Sequence, residues 1–213
     1  MTSLQPPSAI EKVAGSPATE AVMTLVGALS GSPLAAVLPV LSKSLASERQ
    51  NDRVKAALSA IDQTLNEHAD ALRHLSDAQY KLVNEAVLAV LHTTSAEKLR
   101  YLRNTVANSL SMTDIQSQDA VTLGRTIRDI SADEAAFLIQ NFGFSRIFLS
   151  TVPDDQGPSA LTVNATSAEG AIVSGLVSLG LLHSVSSNMS AHGMHSFSPV
   201  VPKLLALLRD AQA

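Results

Sequence analysis

The sequence predicts a mainly α-helical protein, with an N-terminal helical bundle followed by a small winged-helix-like α/β module. Three observations lead there. Apolar residues make up 46% of the chain but aromatics only 3%, with no Trp. Such a core is built from Leu, Val, Ile and Ala, which suits helix packed on helix. Apolar residues recur at helical spacing through most of 48–130. Beyond residue 130, short β-forming runs alternate with helical ones. The length, 213 residues, fits one large domain or two small ones.

Residues 1–16 read as a flexible arm, because Pro6, Pro7, Gly15 and Ser16 discourage regular structure. Residues 17–47 read as an apolar helical hairpin, the first part of a bundle at 17–130. Ser16-Pro17 and Ser32-Pro33 each pair an N-cap residue with a proline at the first helical position. Gly27, Ser30 and Gly31 supply the break between the arms. From Ala21 to Ser42 there is no charged residue.

Residues 48–75 read as one long amphipathic helix. Its stripe runs through Val54, Leu58, Ile61, Leu65, Leu72 and Leu75, with His68 in the place between Leu65 and Leu72. Spacings of four and three mark a helix lying lengthwise on others. A capping box at Ser76 and Gln79 opens the next helix, through Tyr80, Val83, Val87, Val90 and Leu91. A second at Thr94 and Glu97 opens another, through Leu99, Leu102, Val106 and Leu110. A helix over 117–130 follows.

The winged-helix-like module is expected at 131–213. Ser131 and Glu134 cap a short helix that Gly143 ends. SRIFLSTV and LTV (161–163) read as strands around a turn, DDQGP. Thr166 and Glu169 open a helix through GAIVSGLVSLG. LLHSVS and HSFSP read as strands around a polar loop, and Ser198-Pro199 starts a terminal helix. No internal repeat is present.

Without Cys, disulfides and thiolate metal sites are excluded. A net charge of −4 argues against a general nucleic-acid binder. The start, MTSLQPPSAIEK, has neither the basic nor the apolar region of a signal peptide, so a cytoplasmic protein is expected.

The sequence carries no nucleophile elbow, Walker motif or dinucleotide fingerprint. Its serines and glycines read as caps, turns and close contacts, and no enzyme, cofactor or metal site is expected. His192 and His195, with His183 nearby, lack the spacing of a helical zinc pair and read as part of a wing loop. The candidate recognition helix, about 167–179, has no Lys or Arg to meet phosphate, so nucleic acid is not the expected partner.

Two binding surfaces remain. Val22, Leu25, Val26, Leu29, Leu34, Val37, Leu38 and Leu41 form an apolar hairpin for a membrane or a partner. The run they lie in is about as long as a bilayer-spanning helix, but Gly27, Gly31, Pro33 and Pro39 interrupt it, which makes a poor permanent anchor. It reads either as core or as a sheltered segment that inserts or associates on demand. Val54, Leu58, Ile61, Leu65 and Leu72 form a stripe for self-association, the basis of an alternative reading as a scaffold or adaptor. A winged-helix transcriptional regulator is a further alternative.

The segments EKLRYLRNTVANSL (97–110), ISADEAAFL (130–138) and LVSLGLL (176–182), in that order behind a Gly/Ala-rich helical front, resemble the bacterial abortive-infection alpha family. The resemblance spans about residues 90–210. It implies a bacterial phage-defence setting with arrest or death of the infected cell, and it supplies no catalytic residues.

Overall fold

The computed structural model describes residues 48–151, 157–185 and 193–210. The arm at 1–16, the hairpin at 17–47 and His192 lie outside them. The described protein is mainly helical, with eight helices and a small mixed four-stranded sheet.

The first helix, α1 (Glu48–Glu67), is amphipathic. Val54, Leu58, Ile61 and Leu65 are all sealed in the core. The long helix expected to reach residue 75 breaks at His68, which leaves helical geometry before a single turn, α2 (Ala69–Leu72). His68 does not complete the stripe. It is exposed, and its Nδ1 lies 2.9 Å from the Thr64 carbonyl. An imidazole carries its own polar demand, and here a local backbone acceptor satisfies it in place of burial.

Helix α3 (Asp77–His92) is the centre of the bundle and packs most extensively on α5 (Ser117–Asp129) and α4 (Ala96–Ser111). Its capping box is in place. Ser76 Oγ accepts from the Gln79 amide, and the Gln79 side chain accepts from the Ser76 N–H. The Gln79 amide group also donates to the Ser109 and Leu110 carbonyls, satisfying the end of α4. Leu82, Val83, Ala86, Val87 and Val90 are sealed. Tyr80, expected on the same buried stripe, is instead 43% exposed. Gly124 lets α5 come close to α3, since a Cβ there would meet Glu85 Cγ at 3.0 Å.

Two caps sit one residue later than the spacing predicts. Ser95, not Thr94, accepts from the Lys98 amide at the start of α4. Ser167, not Thr166, accepts from the Gly170 amide at the start of α7 (Ala168–Ser178). At α7 the reason is steric. Position 170 lies where a Cβ would be 2.5 Å from the Asn164 carbonyl oxygen, so the third residue of the helix must be glycine.

Residue 130 separates α5 from α6 (Ala132–Asn141), whose capping box at Ser131 and Glu134 forms as expected. The strands follow as β1 (Arg146–Ser150) and β2 (Ala160–Asn164), then α7, then β3 (Leu182–Ser184) and β4 (Gly193–Phe197). The sheet order is β2-β1-β4-β3. β1 and β2 are parallel, and the other two pairings are antiparallel. Ile147, Val163, Leu182 and His195 are buried on its inner face. Helix α7 packs on α6, β3 and β2.

The last helix, α8 (Val201–Leu208), begins after a turn at Ser198–Val200. Ser198 does not cap it; the Ser198 carbonyl accepts from the Val201 amide. Helix α8 packs chiefly on α4, across residue 130. One apolar core therefore runs from Val54 through Ile127 and Leu138 to Leu208. Residue 130 is the link between α5 and α6, and the strands begin only at Arg146.

Candidate functional site

The stripe assigned to self-association is occupied within the chain. Val54, Leu58, Ile61 and Leu65 are 0–1% exposed, and half-buried Leu72 packs against the same cluster. The apolar hairpin residues Val22 through Leu41 lie outside the described residues. Among the described residues, no helix is long and apolar enough to cross a membrane.

The polar groups that the fold brings together lie where α4, α6 and the end of α8 meet. Arg100, Asn104 and Asn108 follow at four-residue spacing on one face of α4, opposite the last turn of α8. The Asn104 amide donates to the Leu208 carbonyl and to Asp210, both at 2.9 Å. The Asn108 amide donates to the Leu207 carbonyl at 3.0 Å and the Arg209 carbonyl at 2.9 Å. Three terminal carbonyls that the helix cannot satisfy itself thus find donors. The Arg100 guanidinium lies 3.1 Å from Asp210 and 3.7 Å from Glu97, over the ring of Tyr101. The Asn104 amide and the Arg100 charge hold the Asp210 carboxyl below its usual range. Burial, and the hydroxyl's bond to Glu97, push Tyr101 up.

A shallow cleft of about 220 Å³ opens here, lined by Glu97, Arg100, Tyr101, Gln140 and Asp210 among others. The acids and base within it are spent on one another and on the end of α8. Chemically it is a clasp that fastens the last helix to the bundle. Sequence reasoning missed it, although the Arg-x-x-x-Asn-x-x-x-Asn register of α4 was available as a signal. A second tie is the contact of Lys203 with Asp119, 2.5 Å long. A third is the Lys98 ammonium, which donates to the Arg128 carbonyl at the end of α5. Burial there lowers the Lys98 pKa.

Of the wing-region histidines, the described His183 and His195 do not converge. His183 is exposed, and His195 is buried on the opposite face of the hairpin. The His195 Nδ1 has no hydrogen-bond partner, and burial lowers its pKa. Among the described residues no group of three or more metal-binding side chains occurs. On α7, Gly170, Val173 and Leu176 turn inward. The exposed positions are Ala168, Glu169, Ala171, Ser174 and Ser178. Both serine hydroxyls donate to carbonyls one turn earlier. That surface offers acidic and small groups where a DNA-reading helix presents basic ones.

One face of α3, which also carries Asp77 and Lys81, is incompletely covered. Tyr80, Asn84, Leu88 and Leu91 succeed one another at helical spacing, and the last three are half-buried. The Asn84 Oδ1 is shut from water with no donor, an arrangement that costs about 1–3 kcal/mol.

No family model matches the sequence, no curated protein is significantly similar to it, and no solved structure is significantly similar to its fold.

Proposed function

We propose that the protein is a non-enzymatic binding protein in which the folded body carries the uncharged segment 17–47 as its working part. That segment acts on a membrane or on a protein partner, after release from a resting state. One observation carries this reading. The apolar stripe of α1 is filled by the body's own core, while the uncharged run Ala21–Ser42 stands just ahead of that helix in sequence. Self-association through Val54–Leu72 would compete with the fold for the same side chains, so the scaffold reading loses its surface. The resemblance to the abortive-infection alpha family supplies a bacterial phage-defence setting and a cytoplasmic resting location.

The experiment is co-flotation of the full chain with phospholipid vesicles, beside the variant Leu25→Asp with Leu29→Asp. Flotation lost in the variant, with the helical content of the body unchanged, supports the reading. Flotation equal in both removes the segment from the mechanism.

A winged-helix-like reading of 131–213 has its own support. Strands β1, β4 and β3 form an antiparallel sheet whose last two strands are a hairpin preceded by α7. Strand β2 stands where the first helix of a helix-turn-helix would come. We read this module as a surface for proteins rather than for DNA, given the acidic and apolar face of α7.

A further inference from the structure

We propose that the β3–β4 hairpin is an acid-released flap, held shut by the neutral imidazole of His195 on the inner face of the sheet. The inference concerns the sheet alone and stands whether or not segment 17–47 acts on membranes.

His195 lies in the middle of β4, an inner strand, opposite Ile147 of β1 on one side and Ser184 of β3 on the other. Cross-strand partners share a face, so its ring lies with Ile147 and Leu182. The residue is 7% exposed, and its Nδ1 is shut from water without a partner. A histidine held in this way is stable only while uncharged. A second ring proton would bury a charge and a donor with nothing to accept it.

Among the described residues no carboxylate answers that charge. Strands β2 and β4 carry no acid or further base. Arg146 on β1 and His183 on β3 are exposed at alternate positions, which point to the outer face. Helix α6 reaches the inner face through Phe142, whose ring meets Phe197 at 5.3 Å, and its acids, Asp133 and Glu134, stand at its other end. Glu169, the acid of α7, is exposed in the first turn of that helix. Residues 186–192, between β3 and β4 in sequence, include His192 but no acid. Asp154 and Asp155 follow β1 in sequence and are the acids to test. Burial lowers the His195 pKa, and no charged group raises it.

The strands around His195 are lightly held. β3 is three residues long and lies at the edge of the sheet, and Val185 just beyond it is 40% exposed. β4 meets β1 over Ile147–Leu149 only, whereas β2 pairs along all of β1. Such an element opens at a lower free energy than the whole protein. Above about pH 6.5, the free histidine value, neither the shut nor the open flap takes the proton. Below it the open flap takes it first, so opening gains up to about tenfold per pH unit as pH falls.

Hydrogen exchange of the full chain at pH 7 and pH 5, with each rate divided by the intrinsic rate at that pH, reads the opening. Protection of 182–185 and 193–197 should fall severalfold, and at most about thirtyfold. It should also stay at least about tenfold below that of 82–90 in α3, the mark of an opening smaller than global unfolding. Protection that ignores pH, or that equals that of α3, would overturn the inference. His195→Leu should abolish the fall, and His183→Gln with His192→Gln should leave it in place; the reverse pattern would overturn the inference. Asp154→Asn with Asp155→Asn should leave the fall unchanged; a larger fall would mean that an acid does answer the charge, and would also overturn it. If His195→Leu does not fold, the ring protons of the native chain decide. His195 should titrate below His183, and a His195 that titrates at or above His183 would overturn the inference.

Discussion

Truncating Leu58 to Ala tests whether the α1 stripe is core. Leu58 is 1% exposed and lies in the same cluster as Leu82 and Leu102. The substitution removes three methylene-sized groups, worth about 2.4 kcal/mol at about 0.8 each. The cavity left behind raises the expected cost to about 3–4 kcal/mol, within the range for buried leucines. For a body of this size that corresponds to roughly 6–16 °C in Tm. Urea unfolding followed by circular dichroism, at two protein concentrations tenfold apart, measures it. The same loss at both concentrations is expected, because the contacts lie within one chain. Leu58→Asp with Leu65→Asp should unfold the body, since two charges would be buried without partners. Folded monomers from that double variant, or a loss that shrinks at low concentration, would restore the stripe as an interface.

The clasp and the buried histidine give two further outcomes. Asn104→Ala with Asn108→Ala should cost about 1 kcal/mol for each lost amide bond, and hydrogen exchange should rise first in α8; unchanged protection of 204–208 would mean the clasp is idle. Burial lowers the His195 pKa in the folded state, so the unfolded chain takes up that proton first as pH falls. Stability should therefore drop as pH falls below about 6.5, the free histidine value, and His195→Leu should flatten that part of the profile; an unchanged slope would place the acid sensitivity elsewhere.

Periodicity made the helices legible, because a helix with one wet side must repeat its apolar residues every three or four positions. It could not say what covered the stripe of α1, since core and interface impose the same spacing. The one-residue errors at Thr94 and Thr166 arose because a second hydroxyl follows each, and only packing chooses between them. At α7 the choice was made by the close approach of Gly170 to Asn164. The strands were visible as β-forming runs, but the parallel pairing of β1 with β2 was not, because side-chain alternation carries no direction. The clasp was hidden for another reason. Arg100, Asn104 and Asn108 meet their partners about a hundred residues away, so only the fold brings the two ends together.

On the proposed reading, residues 17–47 do the work and the body carries them. Leakage of dye-filled phospholipid vesicles by the full chain, beside a chain beginning at residue 48, measures this. Leakage from the first and none from the second, with both folded by circular dichroism, is the predicted result. Equal leakage from both would contradict the claim and move the activity into the body.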